Sequence, residues 1–229
     1  MESSNTVGYK KLNLDAGFVM YTPMFVGIGG GSISIQDLKP SGEDVGGWGD
    51  VSIQIVDSDG NIDGEYAWYT SENSGRSADL WLDLNSENLD PANISFEDGD
   101  AFLLYSDNDV TLLCAGEVAN VAVTKQIDAG FNSFGNSKHS ATSIQALVPE
   151  GDDVGGWGDV SIQIVDPDGN IDGEYAWYTT ENSGRNVDCW LDLNTENLDP
   201  AVVTFAPGEA FLLYSDNAAE IEIPAFQAN

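Results

Sequence analysis

Positive charge is what this sequence has least of. Seven lysines and arginines stand against 39 aspartates and glutamates in 229 residues, a formal net charge of -32. A surface this negative repels phosphate backbones and anionic headgroups, which argues against nucleic acid and anionic membranes as partners. Long apolar runs are also missing. No stretch approaches the ~20 residues of a membrane-spanning helix, so membrane insertion is not expected. Cysteine is nearly absent. Cys114 and Cys189 are too few for a disulfide framework and read as buried small hydrophobes, or else as a single bridge. The N-terminal MESSNTVGYKKLNLDAGF lacks the apolar core of a secretory signal, which leaves an intracellular chain, another export route or a processed form. What the chain does have is 41% hydrophobic residues, enough for a packed core.

The chain contains a tandem repeat. Residues 43–108 match residues 152–217 without a gap at a constant offset of 109, and 53 of these 66 positions are identical. Upstream the repeat weakens: Asp15–Phe18 pairs with Asp128–Phe131, and Ile35-Gln36 with Ile144-Gln145, with four extra residues in the first copy. This divides the chain into domains at residues 1–117 and 118–229. Duplication by itself marks no residue as functional.

Each copy reads as all-β. Val51, Ile53 and Ile55 alternate with Ser52 and Gln54, the period of a half-buried strand. The Asp57–Asn61 turn leads into a returning strand at Tyr66–Thr70. Leu80, Leu82 and Leu84 alternate with Asp79, Trp81 and Asp83. Ala101–Ser106, Val110–Val118, Gly17–Ile28 and Ser32–Leu38 complete the set, and helix is confined to a turn around Glu87–Asp90. The expectation is two tandem β-sandwich or barrel-like domains related by internal duplication.

Four features bear on function. Asp59, Asn61 and Asp63, repeated as Asp168, Asn170 and Asp172, match the opening of a calcium loop, because alternating carboxylate and amide oxygens suit a hard cation. The closing position is Thr70 or Thr179 instead of glutamate, and a plain hairpin turn accounts for the same residues. Second, if the leucines of residues 80–84 point inward, Trp81 points outward between carboxylates, as does Trp190. These tryptophans could then stack on a sugar, anchor a subunit contact or be covered within their own domain. Trp48, in a glycine turn, is expected to plug the end of the core. Third, catalytic chemistry is poorly supplied. His139 reads as a solvated loop residue with no nucleophile beside it, no zinc spacing exists, and Gly29–Gly31 lacks the lysine of a phosphate loop. No enzyme is expected. Fourth, Phe18–Ile28 is strongly apolar, whereas its counterpart 132–139 is polar. Phe18, Met20, Tyr21, Met24 and Phe25 should therefore be covered, by the second domain or by another subunit.

The succession GYKKLNLDAGF, GGGSISIQDL, a D-G turn, a Tyr/Trp strand, GDAFLLYS and LLCAGEV resembles tandem β-domain repeats of about 110 residues in bacterial surface and extracellular proteins. The resemblance implies secretion and carries no catalytic residues. The sequence thus leads to a structural subunit that self-assembles into an extracellular filament, tube or surface layer through head-to-tail contacts. The N-terminal segment through Lys11, the apolar stretch and the two tryptophans are the candidate contacts. A tandem carbohydrate-binding module and a calcium-dependent adhesin are the alternatives.

Overall fold

A computed structural model describes residues 7–43, 45–119 and 121–225, and the fold is all-β. The first half contributes β1 (Val7–Leu14), β2 (Gly17–Tyr21), β3 (Phe25–Val26), β4 (Ile33–Ser34), β5 (Lys39–Ser41), β6 (Val51–Val56), β7 (Ile62–Tyr69), β8 (Leu80–Asp83), β9 (Ser95–Phe96), β10 (Phe102–Ser106) and β11 (Val110–Val118). The second half contributes β12 (Val123–Ile127), β13 (Gly130–Gly135), β14 (Thr142–Ser143), β15 (Pro149–Glu150), β16 (Val160–Val165), β17 (Ile171–Tyr178), β18 (Cys189–Asp192), β19 (Thr204–Phe205), β20 (Ala210–Ser215) and β21 (Ala219–Ile223). Single helical turns, α1 (Ser71–Ser74) and α2 (Thr180–Ser183), follow β7 and β17. The turn expected at Glu87–Asp90 is not helical.

Every hydrogen-bonded sheet draws its strands from one half. In the first half a five-stranded antiparallel sheet runs β2-β10-β6-β7-β8, and a small sheet runs β1-β11-β3 with β5 also on β11. The second half repeats this as β13-β20-β16-β17-β18 and β12-β21-β15. The two sheets of each half face one another. Val51, Ile53, Trp68, Phe102 and Leu104 of the large sheet share a core with Val110, Leu112 and Cys114 of the small one. Both cysteines are buried and free, and burial pushes the Cys114 thiol up to about 11. They therefore behave as small hydrophobes, not as a bridge.

The halves meet through reciprocal contacts. The Phe18 N–H donates to the Pro167 carbonyl at 2.8 Å, and its counterpart Phe131 donates to Ser58 at 2.9 Å. Thr22 donates to Gly208, and Gly135 to Gly99, each at 3.0 Å. Such paired contacts give the junction the self-complementary pattern of an isologous dimer within one chain. Its two sides differ in chemistry. On one, Lys138 is wholly buried with Nζ 2.6 Å from Asp98 Oδ2, and the Ser137 hydroxyl donates to the same carboxylate. Lys125 Nζ lies 2.5 Å from Asp100 Oδ1. On the other, Pro207 occupies the position of Asp98, and the contact is apolar. There Gly208 (φ 93) runs so close to Tyr21 and Met24 that an added Cβ would stand 3.0 Å from the tyrosine ring. The contrast between Phe18–Phe25 and residues 132–139 is thus the contrast between an apolar and an ionic side of one junction, while Ile28 is exposed. Removing one partner of a buried ion pair costs about 3–5 kcal/mol, because the remaining charge is left uncompensated at the junction.

Candidate functional site

The side chains singled out from the sequence fall into three groups. Met20, Tyr21, Met24 and Phe25 are buried and Phe18 is half-buried, but the cover comes from within the chain. The Phe18 ring lies over Gly169, Met20 clusters with Ala101 and Ala210, and Phe25 stacks edge-on against His139 at 5.1 Å. Met20, Tyr21, Met24 and Phe25 are consequently not available to another subunit. His139 is itself half-buried at the junction and not a solvated loop residue. Residues 1–6 of the N-terminal segment lie outside the described residues.

Trp81 and Trp190 are 0% exposed, which overturns their outward placement. Both faces of β8 and β18 are covered. Trp81 packs edge-on against Trp68 at 5.6 Å on the core side, while Leu82 joins Leu84 and Leu89 on the other. The Trp81 indole N–H donates to the Leu38 carbonyl at 2.6 Å, and Trp190 makes the same bond to Leu147. Apolar residues on both faces of a strand defeat the assumption that alternation marks one inward side. The outward tryptophans are instead Trp48 and Trp157, 74% and 72% exposed, so Trp48 is no plug.

The residues of the calcium expectation lie at the hairpin turns between β6 and β7 and between β16 and β17. The turn is organised by Asp57, whose Oδ1 accepts the backbone N–H groups of Asp59 and Asn61 at 2.9 and 2.8 Å, and Asp166 serves Asp168 and Asn170 in the same way. Asp59 and Asn61, like Asp168 and Asn170, lie in this capped turn, whereas Asp63 and Asp172 stand at the starts of β7 and β17; among the described residues no three His, Cys, Asp or Glu side chains converge on a position that could hold a metal. This turn has a packing role: Gly60 sits under the Phe131 ring of the other half.

The outer faces of the two small sheets form the arrangement most suggestive of a partner. On the first half, β1 presents Val7, Tyr9, Lys11 and Asn13 outward, and Tyr9 is 76% exposed. Lys11 stands opposite Leu113, which stands opposite Lys39, so two lysines flank one leucine across three strands. Lys11 makes no ion pair among the described residues; the charge of Lys39 also reaches Asp79. The equivalent face of the second half is acidic. Glu150, Glu220 and Glu222 are exposed there, and Glu150 stands directly opposite Glu220. The corresponding pair in the first half is Ser41 and Thr111. Like charges directly opposite across a strand pair are unfavourable, and Glu220 accepts a 2.7 Å hydrogen bond from the neutral Gln126 amide. A depression of 360 Å³ lies beside these residues. Sequence reasoning missed both faces, since Lys11 and Lys39 become neighbours only through the register of β11. A larger cleft of 630 Å³ runs between the halves, but its cation, Lys125, is already held by Asp100.

No protein-family model, curated protein or solved structure matches the chain.

Proposed function

We propose that the chain is a structural subunit that assembles head-to-tail, the basic outer face of one copy meeting the acidic outer face of the next. One observation carries this reading: the same sheet face bears Lys11 and Lys39 in one half and Glu150, Glu220 and Glu222 in the other. Unlike faces at the two ends of one chain make a heterologous contact, which leaves a fresh face exposed after each addition and gives an open filament. A lysine brought to the Glu150–Glu220 pair relieves a repulsion that an isolated copy retains. The exposed aliphatic stems and Tyr9 add apolar area around the charges.

The net charge of -32 sets the conditions. At very low salt the Debye length is about 30 Å, so whole subunits repel one another; at 1 M it is about 3 Å, and the local attraction is screened as well. Association is therefore expected to be greatest near physiological ionic strength and weaker on both sides. Sedimentation velocity across protein concentration at low, intermediate and high salt checks this, with negative-stain microscopy of the largest species. A protein that sediments as a monomer throughout contradicts the reading.

A further inference from the structure

The two exposed tryptophans stand at equivalent positions of the two halves, away from the assembly faces, and Trp157 stands beside a cleft. Trp157 overhangs the outer side of the second five-stranded sheet, its ring 5.9 Å from that of Tyr178. Beside it lies a cleft of 440 Å³, within the size range of small-ligand sites. Its floor is polar: Ser161, Gln163 and Glu174, with Gln163 Nε2 3.3 Å from Glu174 Oε1. Its walls are Phe131 and Tyr214 on one side and Leu193 on the other. The Leu193 wall belongs to a loop that Arg185 braces by donating to the carbonyls of Asn197 and Leu198.

Tyr178 lines the cleft, and its hydroxyl is buried without a hydrogen-bond partner among the described residues. A buried, unpaired hydroxyl costs free energy unless something else bonds to it. Burial, and then the Asp159 charge, holds its pKa above the ordinary tyrosine value, so it stays a donor at neutral pH.

The first half carries the same residue at every one of these positions. Phe18, Trp48, Ser52 and Gln54 replace their counterparts there, as do Glu65, Tyr69, Leu84 and Tyr105. Trp48 and Tyr69 lie 6.2 Å apart, Gln54 and Glu65 again 3.3 Å, and the Tyr69 hydroxyl is likewise buried and unpaired.

We infer that this cleft and the equivalent surface of the first half are binding sites for neutral saccharides, one per half. A sugar ring is amphipathic: one face is made of C–H groups that suit an indole, and its edge carries hydroxyls that both donate and accept. An exposed tryptophan above a floor of amide, hydroxyl and carboxylate groups matches that division. The carboxylates at the site and the charge of the whole chain exclude phosphorylated or uronic ligands. An aliphatic ligand would cover the Gln163 amide and the Glu174 carboxylate without offering either a hydrogen bond beyond the one they share.

The test is an array of neutral oligosaccharides, cello-, malto- and chito-oligomers among them, followed by calorimetric titration of the strongest binder. The expected stoichiometry is two per chain. It falls to one in Trp48→Ala or in Trp157→Ala, and binding is lost when both are combined. Gln54→Ala with Gln163→Ala, which keeps both indoles, is expected to weaken binding about tenfold. That second pair keeps the test decisive if the tryptophan variants fold poorly. An array without a neutral binder, binding of acidic glycans alone, or titrations that neither pair alters would overturn the inference. None of these residues lies on the outer faces of the small sheets, so failure here leaves the assembly reading standing, and the reverse.

Discussion

His139 shows how a residue with no catalytic company can still matter. It lies against Phe25 and hydrogen-bonds the Met24 backbone, and its Nε2 is buried without a partner. Burial, with a smaller contribution from Lys10, lowers its pKa below the ordinary histidine value. The folded chain therefore binds its proton less readily than the unfolded chain, whose histidine titrates near 6.5. The sign follows: His139 costs nothing above about pH 7, and it lowers stability as the pH falls through 6.5 towards the depressed folded value. In denaturant titrations from pH 8 to 5.5, the native chain should lose more stability than His139→Gln. Parallel profiles would contradict this placement. From the sequence the residue looked solvated because its neighbours are polar. The side chains that bury it come from the other half of the chain.

At the scale of elements, the strands were legible where apolar residues alternate with polar ones. Val51–Ile55 fell within β6, though Ser52 is buried along with Val51 and Ile53, and Val110–Val118 became β11 at those bounds. β8 was legible as a strand but not in its orientation, because Leu82 is covered by its own loop while Trp81 fills the core. The aromatic platforms were missed for the same reason: assigning Trp81 outward left Trp48 to be a plug. A less visible device holds β8 and β18 in place. Gln36 Nε2 donates to the Trp81 and Ala92 carbonyls, each at 2.9 Å, while its Oε1 accepts the Trp81 N–H at 3.0 Å. One side chain thus does the work of a missing neighbouring strand, and Gln145 does the same for Trp190 and Ala201. Gln145→Ala orphans the Trp190 N–H and the Ala201 carbonyl, while the Trp190 carbonyl keeps its bond from the Ala201 N–H, and should lower stability by about 1–3 kcal/mol, measured by chemical denaturation. A loss no larger than that of an ordinary surface substitution, about 0.5 kcal/mol, would show that the bonds are replaced by water.

For the whole molecule, duplication explains why the parts recur and divergence explains what they can do. The repeat boundaries were readable from the offset of 109 and its shift by four residues upstream. That the extra apolar segment closes a junction within the chain was not readable, because its partners, Gly208 and Ala210, lie almost two hundred residues away and are ordinary in composition. The same divergence made the outer faces unlike: four of the seven cations are spent on internal contacts, at Arg76, Lys125, Lys138 and Arg185, while Lys11 and Lys39 are displayed together. The acidity thus acts less as a filter on partners than as a background against which one basic face is distinctive.

The most direct test of head-to-tail assembly is a charge exchange read by sedimentation velocity. One variant carries Lys11→Glu and Lys39→Glu, the other Glu150→Lys and Glu220→Lys. Each alone has two like faces and should remain monomeric at concentrations where the native chain associates. Mixed in equal amounts, they should form alternating polymers, since every face again meets its opposite. Association of either variant alone, or a mixture that stays monomeric while the native chain associates, would contradict the account.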